Sequence, residues 1–69
     1  MILKDRKVLA KLMVLDGVTQ RELAAAAGWT THSYLGRLLR GEARKIRPEP
    51  ARRIANRLGV SVSDLFDQA

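Results

Sequence analysis

Between residues 31 and 57 this sequence concentrates polar side chains suited to recognition rather than bond making. Arg37, Arg40, Arg44, Lys45, Arg47, Arg52, Arg53 and Arg57 lie there, opposed only by Glu42 and Glu49. The whole chain carries thirteen Lys and Arg against seven Asp and Glu, a net charge of +6. Its pI near 10.9 points to a polyanionic partner. A charge run can be no more than a solvated face, but concentration of the excess in one third of the chain favours a binding surface. A guanidinium is a planar fork that meets two acceptors at once, such as O6 and N7 of guanine.

Other chemistries lack their residues. There is no cysteine and only one histidine, so neither a disulfide framework nor a metal cluster is expected. No carboxylate pair, nucleophile with a base, or phosphate-cradling glycine loop is visible. Asp64 and Asp67 sit in a C-terminal capping context, where helix-dipole stabilisation explains them. An enzyme, a cofactor and a small-molecule substrate are therefore not expected. No apolar run approaches the roughly 20 residues needed to span a bilayer, and MILKDRK is charged too early for a signal peptide. The expectation is a soluble cytoplasmic protein of one domain, residues 1–69, with a core small enough to be marginal.

The elements that must position these residues all read as helices. LKDRKVLAKLMVL (3–15) predicts a first helix, with Leu9, Leu12 and the Val8/Leu15 pair at helical spacing. Asp16-Gly17 ends it. Thr19-Gln20-Arg21-Glu22 reads as a capping box opening a second helix, which closes at Gly28. A third runs from about Thr31 to Arg40 and stops at Gly41. GEARKI is a polar loop. Pro48-Glu49-Pro50 opens a fourth helix, with Ala51, Ile54, Ala55 and Leu58 inward and Gly59 after it. Ser61 to Asp64 is a second box-like start, for a short helix DLF. No strand-like alternation appears.

GVTQRELAAAAG (17–28), the LLRGE that ends the third helix (38–42) and IANRLGVSVSDLF (54–66) resemble the Cro/repressor-type, or XRE-like, helix-turn-helix family. The resemblance covers residues 9–66. It implies an all-α, compact five-helix bundle of the lambda-repressor-like kind, with the motif at about 19–41. Helix three would lie in the major groove of a double-stranded DNA operator. The implied role is transcriptional regulation by a Cro-like or small repressor, in a bacterial cell or phage-infected host. Two other readings stay open: an antitoxin-type protein-interaction module, and an excisionase-like architectural DNA binder.

The chain departs from the family pattern by one extra residue between Gly28 and Gly41. Counting forward from Gly28 turns Tyr34 and Arg37 inward; counting back from Gly41 turns Leu35 and Leu38 inward. Burying an unpaired arginine costs several kcal/mol, so the backward count is preferred. The extra residue then belongs to the corner, at Trp29 or Thr30, with Thr31 (or Thr30) as N-cap.

In that register the family implies base contacts from Thr31, His32, Ser33, Gly36 and Arg37. Gly36, which costs a helix about 0.8–1.0 kcal/mol relative to alanine, would let the backbone approach DNA closely. Phosphate contacts are expected from Gln20, Tyr34, Arg40, Arg44 and Lys45, with Arg47 or Arg52 as further candidates. Tyr34 can stack on sugar or thymine methyl, or pack beside Trp29, which reads as core. Met13, Val14 and Leu15 cannot all face inward, and with Ile2, Leu3 or Phe66 they suggest a homodimer seam on DNA. Operator and sign of regulation are not legible.

Overall fold

The computed structural model describes residues 1–68. Its order is β1 (Ile2–Leu3), α1 (Arg6–Asp16), α2 (Gln20–Ala27), α3 (Ser33–Arg40), α4 (Pro48–Arg57), α5 (Val62–Leu65) and β2 (Phe66–Asp67). The five expected helices are present, joined by a two-stranded sheet that the sequence pattern did not announce.

The sheet corrects both ends of the prediction. Ile2 pairs with Asp67 and Leu3 with Phe66, antiparallel, and on its other side Ile2 bridges to Lys45. Leu3 N–H donates to Arg44 O at 2.9 Å and Ile46 N–H to Met1 O at 2.8 Å. The N-terminal strand is thus held between the 44–46 loop and the C-terminal strand. Helix α1 accordingly starts at Arg6, not residue 3, and Asp5 caps it by accepting from Lys7 N–H at 2.9 Å. Phe66 leaves the predicted DLF helix for extended backbone, φ −131°, ψ 144°. Two-residue strands are too short for period-2 alternation to register.

Helix α2 begins at the expected capping box. Glu22 N–H donates to Thr19 Oγ1 at 3.1 Å, and Thr19 N–H donates to Glu22 Oε1 at 3.0 Å. The backbone bond from Thr19, then its side chain, holds the Glu22 carboxyl below the usual glutamate value, with Arg57 adding a smaller electrostatic pull. A depressed folded-state value means stability that is present above the ordinary glutamate range and lost as pH falls through the depressed one. Glu22→Gln is therefore expected to melt below the wild type at neutral pH and to converge on it in acid. A gap in melting temperature that stays constant down the pH scale would refute this.

Helix α2 packs chiefly on α4. Small side chains allow the approach: Ala24 and Ala27 on one helix, Ala51 and Ala55 on the other, are all buried. Leu9, Leu23, Leu35, Leu38, Ile54 and Leu65 are the largest fully buried side chains, so every helix contributes to one core.

The apolar end of α1 divides. Met13 is buried, while Val14 is 80% and Leu15 70% exposed. Val8, at helical spacing with Leu15, is also exposed. Leu3 and Phe66 are buried in the terminal sheet, so neither can join a dimer seam. No helix among the described residues is long and apolar enough to cross a membrane.

Candidate nucleic-acid interface

The interface is built on α3. Leu35 and Leu38 are fully buried, Leu39 is half-buried and Arg37 is exposed, as counting back from Gly41 requires. Gly41, at φ 80°, ends the helix in the left-handed conformation. Its start differs from expectation. The helix begins at Ser33 with His32 in the cap position, and no side chain caps it. Thr31 Oγ1 accepts only a long bond from Ser33 N–H, 3.4 Å. Thr31 is therefore part of the corner rather than its terminus: the first helical bond runs from Gly36 N–H to His32 O at 3.0 Å. The corner spans residues 28–32. Gly28 opens it at φ 90°, and a Cβ there would also lie 2.6 Å from Arg53 Nη1.

Trp29 and Tyr34 join this corner to the reading face. Their rings meet edge-on, centroids 5.5 Å apart at 75°, and both are half-buried. The Arg37 guanidinium lies over the Tyr34 ring, 5.6 Å from its centroid, a cation–π placement. The Tyr34 hydroxyl donates to Lys45 O. Packing beside Trp29 is thus the arrangement Tyr34 adopts. Its hydroxyl proton is committed within the chain, so the expected phosphate contact would require giving up that bond.

Thr31 and His32 in the corner and Ser33 and Arg37 on α3 are all exposed. Gly36 departs from the expected outward placement. It is buried, because a Cβ there would lie 3.0 Å from Arg40 Nη1 and 3.7 Å from Gln20 Oε1. Those two side chains, both exposed themselves, cover its α-carbon and keep the helix backbone from open approach at this point.

Arg40 pairs with Glu42 at 2.8 Å. The Arg40 hydrogen bond, then its charge, then that of Arg37, hold the Glu42 carboxyl below the usual glutamate value, and Glu42 in turn raises Arg40. Arg44 is exposed but sends one guanidinium nitrogen to Leu3 O at 3.4 Å. Lys45 is exposed beside it. Among the described residues Arg37, Arg44, Lys45 and Arg47 make no ion pair, whereas Arg52 and Arg53 share Glu49 at 3.0 and 3.4 Å. The cation run thus divides into Arg37, Arg44, Lys45 and Arg47, which are unpaired, and Arg40, Arg52 and Arg53, which share Glu42 or Glu49. The role of Glu42 was not read from the sequence. Its signal was the order Arg-Gly-Glu, since a left-handed glycine returns the following residue toward the helix.

Two helices joined by a tight corner, the second anchored by leucines and polar outside, make a helix-turn-helix unit. The family model described as Helix-turn-helix matches residues 9–65, and the chain belongs to this XRE-type family. Among solved structures it is similar to the master regulator for biofilm formation SinR in complex with DNA. That match has a TM-score of 0.77 and 26% identity over 90% of this chain and 97% of that one. It is also similar to the clp gene regulator ClgR from Corynebacterium glutamicum, with a TM-score of 0.73 and 34% identity. There the match covers 86% of this chain and 61% of that one. Both similar proteins are regulators. No curated protein matches the chain.

Proposed function

We propose that this chain is a transcriptional regulator that lays α3 in the major groove of a double-stranded DNA operator. One observation carries the reading: α3 buries Leu35 and Leu38 completely while Thr31, His32, Ser33 and Arg37 stay exposed beside unpaired Arg44 and Lys45. Family membership and a neighbour solved on DNA support it. Arg37 is assigned to a guanine edge and Thr31, His32 and Ser33 to neighbouring bases. Gln20, at the N-terminus of α2, meets a phosphate with its side chain and the helix amides. Arg40, Arg44 and Lys45 hold the backbone on the flank. A small repressor of Cro-like type, working in the cytoplasm of a bacterial cell or phage-infected host, fits this assignment.

Selection of bound fragments from random duplex DNA tests the proposal. A discrete motif is expected, and no enrichment would overturn the reading in favour of a protein partner. Two copies on a palindrome would give half-sites about 34–36 Å apart; a lone half-site would mark a monomer. Lys45→Ala is expected to weaken all sequences alike and to lower the slope of log affinity against log salt by about 0.9. A loss confined to the selected motif would contradict a phosphate role for Lys45.

A further inference from the structure

Both edges of the Arg40 guanidinium are placed. Nε donates to Glu42 Oε2 at 2.8 Å and Nη2 to Oε1 at 3.4 Å, so a carboxylate closes one edge. The remaining nitrogen, Nη1, leans over Gly36, 3.0 Å from where a Cβ would stand. Gly36 is thus the floor on which Arg40 folds back.

The fold builds this clasp. Gly41 turns the chain at φ 80°, and Glu42 N–H donates to Arg37 O at 2.9 Å, which returns the Glu42 side chain to Arg40. Glu42 is also the lone acid among residues 37–47, where Arg37, Arg40, Arg44, Lys45 and Arg47 are the cations. A carboxylate in the middle of a DNA-facing surface opposes the attraction that the surrounding cations create.

We infer that Glu42 is a specificity-determining residue, which withholds Arg40 from the phosphates of unselected DNA. The inference rests on the DNA-reading function proposed above. Sequence-blind affinity grows with every phosphate that is neutralised and every counterion released. A phosphate that reaches the Nε edge of Arg40 must displace the Glu42 carboxylate, and one that meets the Nη1 end is opposed by the charge of that carboxylate. An exposed ion pair sets a preference of roughly 1.5- to 5-fold, so the clasp is a threshold and not a bar. A duplex docked in register, with a phosphate aimed at Arg40, opens it. A duplex docked loosely on the other cations leaves it closed. Discrimination then rests on the base-facing end of α3, and Arg40 adds its charge only where the fit is good.

Fluorescence anisotropy titrations over a range of salt test this, with random and selected duplexes and the variants Glu42→Gln, Arg40→Ala and their double. Glu42→Gln is expected to bind random duplex about 2- to 5-fold tighter, with a salt slope steeper by about 0.9. Its gain on the selected duplex should be smaller, so the ratio between the two falls. In the Arg40→Ala background the same substitution should leave the salt slope unchanged. An equal gain in both backgrounds would make Glu42 a plain like charge to DNA, and no gain in either would remove the clasp. Each overturns the inference while leaving the DNA reading intact. Wild type that shows no preference for the selected duplex overturns the DNA reading itself, and the inference with it.

Discussion

Leu38→Ala is expected to cost about 2–5 kcal/mol of folding stability, the largest loss of any single change considered for this chain. Leu38 is fully buried on α3 beside Leu35, in a core of small extent. A chain of 69 residues has a total stability of roughly 3–10 kcal/mol. The truncation therefore removes much or all of it, by losing the transfer energy of the side chain and leaving a cavity that α1 and α2 cannot fully close. Urea unfolding followed by circular dichroism measures the change. Val14→Ser is the control, since Val14 is 80% exposed and a surface change of this kind stays within about 0.5 kcal/mol. DNA affinity of Leu38→Ala should fall only in proportion to the folded fraction, with sequence preference intact in what remains folded. A loss below about 1 kcal/mol would mean that α3 is not anchored through Leu38, and the register of the whole reading face would have to change.

That register was legible because two constraints in the sequence conflict and physics ranks them. Counting forward from Gly28 buries Arg37; counting back from Gly41 buries Leu35 and Leu38. An unpaired buried arginine is far more costly than a corner with one more residue. The capping box at Thr19 and Glu22 was legible for a similar reason, since both hydrogen bonds are local and need only the spacing of three. The prolines that open α4 and the glycines after the helices belong to the same class of local signals.

What the sequence hid is non-local or too short to be periodic. The pairing of Ile2–Leu3 with Phe66–Asp67 joins the two ends of the chain, and nothing near either strand encodes the partner. It changed the fate of Leu3 and Phe66, which the sequence offered to a dimer seam and the sheet buries. Gly36 was misplaced for a related reason. Its position on α3 followed from the helical repeat, but its burial depends on where the flexible Arg40 side chain goes, and that depends on Glu42 beyond the helix end. The start of α3 moved two residues past Thr31 because the corner runs on to His32 before the first helical bond closes. Helix ends are decided by such side-chain and corner details, not by hydrophobic period.

Arg37 is where fold and chemistry converge, and its replacement should show the largest effect on recognition. Trp29 fills the corner and meets the Tyr34 ring edge-on, Tyr34 ties to the Lys45 carbonyl, and Arg37 lies over the Tyr34 face. The guanidinium is thereby held before DNA arrives, which lowers the side-chain entropy lost on contact. Arg37→Ala is expected to cost about 1–3 kcal/mol on the selected duplex and to relax preference at one base pair. Arg37→Lys should recover affinity for random duplex but not that preference, because an ammonium is a point charge without the planar fork. Competition titrations against duplexes altered singly at each position of the selected motif measure both. Preference lost at one position, retained elsewhere and not restored by lysine is the signature of a bidentate base contact. Equal loss on selected and random duplex, restored by lysine, would move Arg37 to the phosphate backbone. Sequence reading would then pass to Thr31, His32 and Ser33, the remaining exposed side chains at the start of α3.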